Sequence, residues 1–122
     1  DGNTGPYAQY TYARCCSLLE KAEGDAAVAT ETEMTAEETE LARTLAVFPE
    51  RINEALSSYE PSTVTRYVLD LCAAFNRFYH ECQILSCDDP TQRANRLAMT
   101  KAVKTVLGTA LHLICLSTPE NI

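Results

Sequence analysis

Residues 62–82, STVTRYVLDLCAAFNRFYHEC from Ser62 to Cys82, decide the fold. Val64, Val68, Leu71, Phe75, Phe78 and Cys82 recur at intervals of three, four and seven residues, so a helix places them on one apolar stripe. Aromatic and branched side chains of this size on one stripe need partners on several sides. The segment is therefore expected to be the central strut of a helical bundle.

Working outward, Asp89-Pro90 reads as a cap followed by a first-turn proline. A last helix is predicted from there to about Cys115, with Met99, Ala102, Val103, Val106, Ala110, Leu113 and Ile114 facing inward. Gly108 inside it costs about 1 kcal/mol relative to alanine, and close backbone packing is the expected reason. Upstream, Thr35-Ala36-Glu37-Glu38 has the form of a capping box opening a helix that ends near Val47. Pro49 starts a short third helix carrying Ile52, Ala55 and Leu56, closed by Ser57-Ser58-Tyr59-Glu60-Pro61. The first helix is predicted from Pro6 to Glu23, stopping at Gly24-Asp25, with residues 24–34 a mobile acidic connection. No segment alternates polar and apolar residues as a half-buried strand would, and no internal repeat is present. The fold class predicted is all-α, a bundle of about five helices forming one domain over residues 1–122.

The net charge is −7, unevenly placed. Residues 1–60 hold 12 Asp/Glu against 4 Lys/Arg, and residues 61–122 hold 5 against 6, so only the first half is acidic. A phosphate backbone can still approach the second half and the first helix, although binding by this domain alone is expected to be weak. No apolar run reads as long enough to span a bilayer, and no membrane partner is expected. The six cysteines sit mostly within apolar helical pattern, with no Cys-x-x-Cys pair, which fits free thiols in a reducing cytosol and a cytoplasmic location. Of the adjacent pair Cys15-Cys16, one belongs in the core and one at the surface.

No catalytic constellation is present: there is no phosphate-cradling glycine loop and no Cys/His/acid set at a recognisable spacing. His80, Cys82 and Cys87 are too irregularly spaced to suggest zinc, so no metal site is expected. The suggestive chemistry is aromatic. Tyr7, Tyr10 and Arg14 stand at i, i+3 and i+7 of the first helix, on one face, and tyrosine rings with a guanidinium form a stacking platform for unpaired bases. Half-buried packing tyrosines beside a solvated arginine are the plainer alternative. Arg93, Lys101 and Lys104 fall opposite the inward stripe of the last helix, either as an ordinary solvated surface or as phosphate contacts.

Several of these stretches are specific. Asn3-Thr4-Gly5-Pro6-Tyr7-x-Gln9-Tyr10-x-Tyr12-Ala13-Arg14, the run Leu71 to Leu85, Arg96-Leu97-Ala98 and the closing Ser117-Thr118-Pro119-Glu120-Asn121-Ile122 stand in order along nearly the whole chain. Together they resemble the C-terminal anticodon-binding (DALR-type) domain of arginyl-tRNA synthetase. The resemblance implies a helical bundle appended to a class I catalytic domain, and a fragment of a longer enzyme in which Asp1-Gly2-Asn3 marks the junction. It also implies, as partners, the anticodon loop of tRNA(Arg) and that catalytic domain, where ATP and Mg serve arginine–tRNA ligation. No cofactor is expected in these residues themselves. The family's anticodon contacts would fall on Tyr7, Arg14, Tyr79, Gln83 and the last residue, Ile122. The family usually closes with Glu-Arg-Met, so Glu120-Asn121-Ile122 keeps an apolar end and loses the penultimate positive charge. Gln83 offers amide hydrogen-bonding groups and no stacking face. Two rivals remain open on sequence: a free-standing helical module that binds tRNA or protein without aminoacylation, and the anticodon domain of another class I synthetase.

Overall fold

A computed structural model describes residues 4–25, 27–29 and 32–117 of the chain. Five helices follow one another: α1 (Thr4–Lys21), α2 (Ala36–Ala46), α3 (Phe48–Ser58), α4 (Pro61–Glu81) and α5 (Pro90–Ser117). No strand occurs among the described residues. The expected all-α bundle is the architecture observed.

The helix ends follow local chemistry. Thr35 Oγ1 accepts from the Glu38 backbone N–H at 3.1 Å while the Glu38 carboxylate accepts from the Thr35 N–H at 2.8 Å, completing the capping box. Asp89 Oδ1 accepts from the N–H groups of Thr91 and Gln92 and caps α5. α1 begins at Thr4, two residues before the expected start, because any first-turn position leaves the missing N–H of Pro6 unused. It ends at Lys21, and Glu23 and Gly24 turn the chain with φ of 51° and 81°. Tyr59, at φ 56°, ends α3 in the left-handed conformation.

α4 packs against each of the other four helices, and α1 and α5 share the broadest contact. The predicted stripe of α4 is buried throughout, joined by Tyr67, Cys72 and Ala74. Phe75 and Phe78 lie fully buried, with ring centroids 5.8 Å apart. On α5 the buried set is Asn95, Arg96, Leu97, Met99, Thr100, Val103, Leu107 and Ala110. The inward face is thus rotated from the prediction: Met99, Val103 and Ala110 keep their place, whereas Ala102, Val106, Leu113 and Ile114 are only partly buried.

Two expectations need adjustment. Within residues 90–115 of α5 an 18-residue window reaches a mean hydropathy of 1.2, so by length and composition alone this helix is apolar enough to cross a bilayer. Its apolar stripe instead packs on α1, α2 and α4. At Gly108 a Cβ would meet the Tyr12 ring at 3.5 Å, an ordinary contact distance, so close packing does not account for that glycine. Within residues 24–34, Asp25 pairs with Arg93 at 2.9 Å and the Val28 N–H donates to the Ala94 carbonyl at 3.1 Å, which tie two points of the connection to α5.

Candidate nucleic-acid interface

Ala8, Thr11, Cys15 and Leu18 form the inward stripe of α1, and Ala22 continues it just past the helix end. Tyr7, Tyr10 and Arg14 lie beside it at the rim, where α1 meets the second half of α4. Tyr7 is 37% exposed and Tyr10 58% exposed, so neither ring is core. Burial pushes the Cys15 thiol up to about 12, while Cys16 next to it is half-exposed, as their adjacency requires.

Arg14 organises the rim. Its carbon Cζ sits 4.2 Å from the centroid of the Tyr79 ring and 4.9 Å from that of Tyr10. One Nη donates to Asn76 Oδ1 at 2.9 Å and the other to the Tyr10 hydroxyl at 2.6 Å. Asn76 Nδ2 in turn donates to the Tyr7 hydroxyl at 3.2 Å and to Thr11 Oγ1 at 3.4 Å. Tyr79 leans on Phe75 and meets His80 edge-on, so its ring is held by the core on one side and by Arg14 on another. Tyr7, Tyr10, Arg14 and Tyr79, drawn from two helices far apart in sequence, therefore form one continuous surface.

Gln83 follows the end of α4 and is exposed. With Leu18, Tyr79, Ile84 and Leu85 it borders a hollow of about 310 Å³ beside the aromatic cluster. The Gln83 carbonyl accepts from Arg96 Nη1, and Arg96 Nε donates to Glu38 at 3.0 Å. This ion pair is buried, with both Glu38 carboxylate oxygens engaged, and it locks the segment carrying Gln83 onto α2 and α5.

The basic residues of α5 separate into two kinds. Arg93 donates to Asp25 and to the Leu85 carbonyl, so a phosphate would have to compete with Asp25 for it. Lys101 is exposed, and Lys104 lies close enough to α1 for its charge to act on Cys15. Arg77 of α4, overlooked on sequence, forms a two-pronged pair with Glu40 at 2.9 and 2.6 Å. These hydrogen bonds hold the Glu40 carboxyl below its ordinary range. Asn76 and Thr11 were also missed. The available signal was spacing: Asn76 precedes Tyr79 by three residues and therefore shares its face. Ile122 and Asp1-Gly2-Asn3 lie outside the described residues. Among the described residues, no three His, Cys, Asp or Glu side chains gather closely enough to hold a metal ion.

Residues 8–122 match the DALR anticodon binding domain family. A protein called arginine–tRNA ligase from Clostridioides difficile is 42% identical over 99% of this chain, and one from Flavobacterium psychrophilum is 36% identical over 98%. Thermus thermophilus arginyl-tRNA synthetase superposes on 90% of the chain with a TM-score of 0.81 at 32% identity. The chain covers 22%, 20% and 20% of these proteins respectively, about a fifth of their length. The bundle, its motifs and a match over nearly its full length agree: this chain belongs to the DALR anticodon-binding domain family.

Proposed function

We propose that this chain is the anticodon-reading part of an arginine–tRNA ligase, and that Tyr7, Tyr10, Arg14 and Tyr79 form the surface on which unpaired anticodon bases lie. The observation that carries this reading is the Arg14 guanidinium, its Cζ 4.2 Å from the Tyr79 ring centroid and its nitrogens tethered to Tyr10 and Asn76. A delocalised cation on an aromatic ring extends the stacking area and offers it to a base from the side, the usual means of recognising single-stranded RNA. The hollow bordered by Tyr79 and Gln83 supplies room for a splayed base beside the stack. Every arginine anticodon has cytosine in the middle, so that base is the common mark to be read.

In this reading Lys101 and Lys104 meet phosphates, Arg93 contributes only if Asp25 yields, and Ile122 adds an apolar contact at the chain's end. Adenylate formation with ATP and Mg belongs to a catalytic domain outside these residues, and the whole enzyme works in the cytoplasm. The alternative, a protein-binding module, is favoured by one feature. Ile52, Ala55, Leu56, Tyr59, Pro61, Val64 and Leu113 line an apolar hollow of about 460 Å³ between α3, the start of α4 and the end of α5. Binding of a protein partner that is insensitive to salt would identify that module.

The test is titration of the chain with an anticodon stem-loop of tRNA(Arg) at low ionic strength, followed by NMR. Resonances of Tyr7, Tyr10, Arg14 and Tyr79 should move together, and Tyr79→Ala should weaken binding by roughly 1–3 kcal/mol. Perturbation confined to the α3–α4 hollow, or an unchanged affinity in Tyr79→Ala, contradicts the assignment.

A further inference from the structure

The hydrogen bonds around Asn76 have a direction, and that direction reaches the outer surface. Arg14 can only donate, so the side-chain oxygen of Asn76 must face it. The amide NH2 is thereby turned toward Tyr7 and Thr11. Thr11 gives its own proton to the Tyr7 carbonyl and accepts from Asn76 with a lone pair. The Tyr7 hydroxyl oxygen likewise accepts from Asn76, which leaves its proton free to point outward. Tyr10 follows the same rule, because its hydroxyl accepts from Arg14. Both phenols therefore use a lone pair inward and present an O–H outward.

We infer that Asn76 is a positioning residue that sets hydrogen-bond polarity on this face, making the Tyr7 hydroxyl an obligate donor to an acceptor atom of an unpaired base, such as the ring nitrogen or carbonyl oxygen of cytosine. The inference rests on the RNA-binding reading above and adds a specificity element to it. An amide is the side chain that suits both demands at once: it accepts from a guanidinium with one end and donates to a phenol with the other. A carboxylate at the same place would still hold Arg14 but would draw the Tyr7 proton inward and leave only a lone pair facing RNA.

The experiment is a double-mutant cycle on the full 122-residue chain, with Tyr7→Phe made in wild type and in Asn76→Asp, probed with a tRNA(Arg) anticodon stem-loop and with the same loop carrying a purine at the middle position. In wild type, Tyr7→Phe should weaken the cytosine loop about three- to tenfold. In Asn76→Asp the same change should have little effect, because the hydroxyl is already turned away. The added negative charge weakens both arms of that background equally and cancels from the comparison. The RNA-free chain gives an independent check. In wild type the two Asn76 amide protons should be separately resolved and slow to exchange, and Tyr7→Phe should shift one of them, whereas Asn76 protons that exchange freely and ignore Tyr7→Phe overturn the inference. An equal Tyr7→Phe loss in both backgrounds also overturns it, as does a loss of the same size for both loops, which would assign the hydroxyl to a phosphate. Absence of any stem-loop binding would be a different failure, removing the RNA-binding reading and the inference with it.

Discussion

Arg14 meets Tyr79, Tyr10 and Asn76 through one rigid planar group, an arrangement lysine cannot reproduce because its point charge lacks the fork. The buried titratable side chains nearby and below have a different consequence. Burial holds the Cys15 thiol protonated to about 12 against an ordinary 9.0, and the Tyr67 phenol to about 12 against 10.0. The Tyr67 hydroxyl also donates to the Thr44 carbonyl at 2.7 Å, a bond that ionisation would destroy. The unfolded chain therefore releases these protons first, and the folded state binds more protons above pH 9. Their stabilisation should be intact below about pH 9 and decline as the pH rises toward 12. Urea unfolding midpoints across that range measure it, and Cys15→Ala should flatten part of the slope. At this scale the sequence was legible where helical spacing alone sets the face, as for Tyr7, Tyr10 and Arg14. Asn76 was legible only as sharing the face of Tyr79, since an asparagine on a helix reads as surface until a second helix supplies its partners. Arg93 shows the converse, because a charge that looks solvated on one helix is claimed by Asp25 from another segment.

Elements are governed by shorter-range rules, and most of them could be read directly. The capping box at Thr35, the Asp89 cap and the apolar stripe of α4 all depend on residues within a few positions of one another. The inward face of α5 was placed less well, because its rotation depends on where α1, α2 and α4 sit and its many small residues fit more than one phase. Gly108 tests the rule of helix propensity in a crowded setting. The space beside Tyr12 accepts a methyl group at normal contact distance, so Gly108→Ala should stabilise the chain by about 0.5–1 kcal/mol through restored helix propensity. A raised thermal midpoint confirms this. A lowered one means the Tyr12 ring cannot accommodate the added group.

Across the whole molecule, the Glu38–Arg96 pair connects the start of α2, the middle of the core and the segment that carries Gln83. Both charges are buried, and removing one leaves the other without compensation. Glu38→Ala should therefore cost about 3–5 kcal/mol, measured by denaturant unfolding, well beyond the loss of a cap alone. The uneven charge of the chain acts at the same scale: acidic groups are concentrated in α2, α3 and the preceding connection, while the proposed RNA face lies between α1 and α4. Attraction for RNA is thus local, and with only Lys101 and Lys104 assigned to phosphates the affinity should fall with salt along a shallow slope of about two counterions or fewer. The most direct test of the central claim is the affinity of the wild-type chain for anticodon stem-loops that differ only in the middle base, compared at one low salt concentration. The account predicts that cytosine is bound more tightly than any other base at that position, with the preference lost in Tyr79→Ala. Equal affinity for all four bases would contradict it.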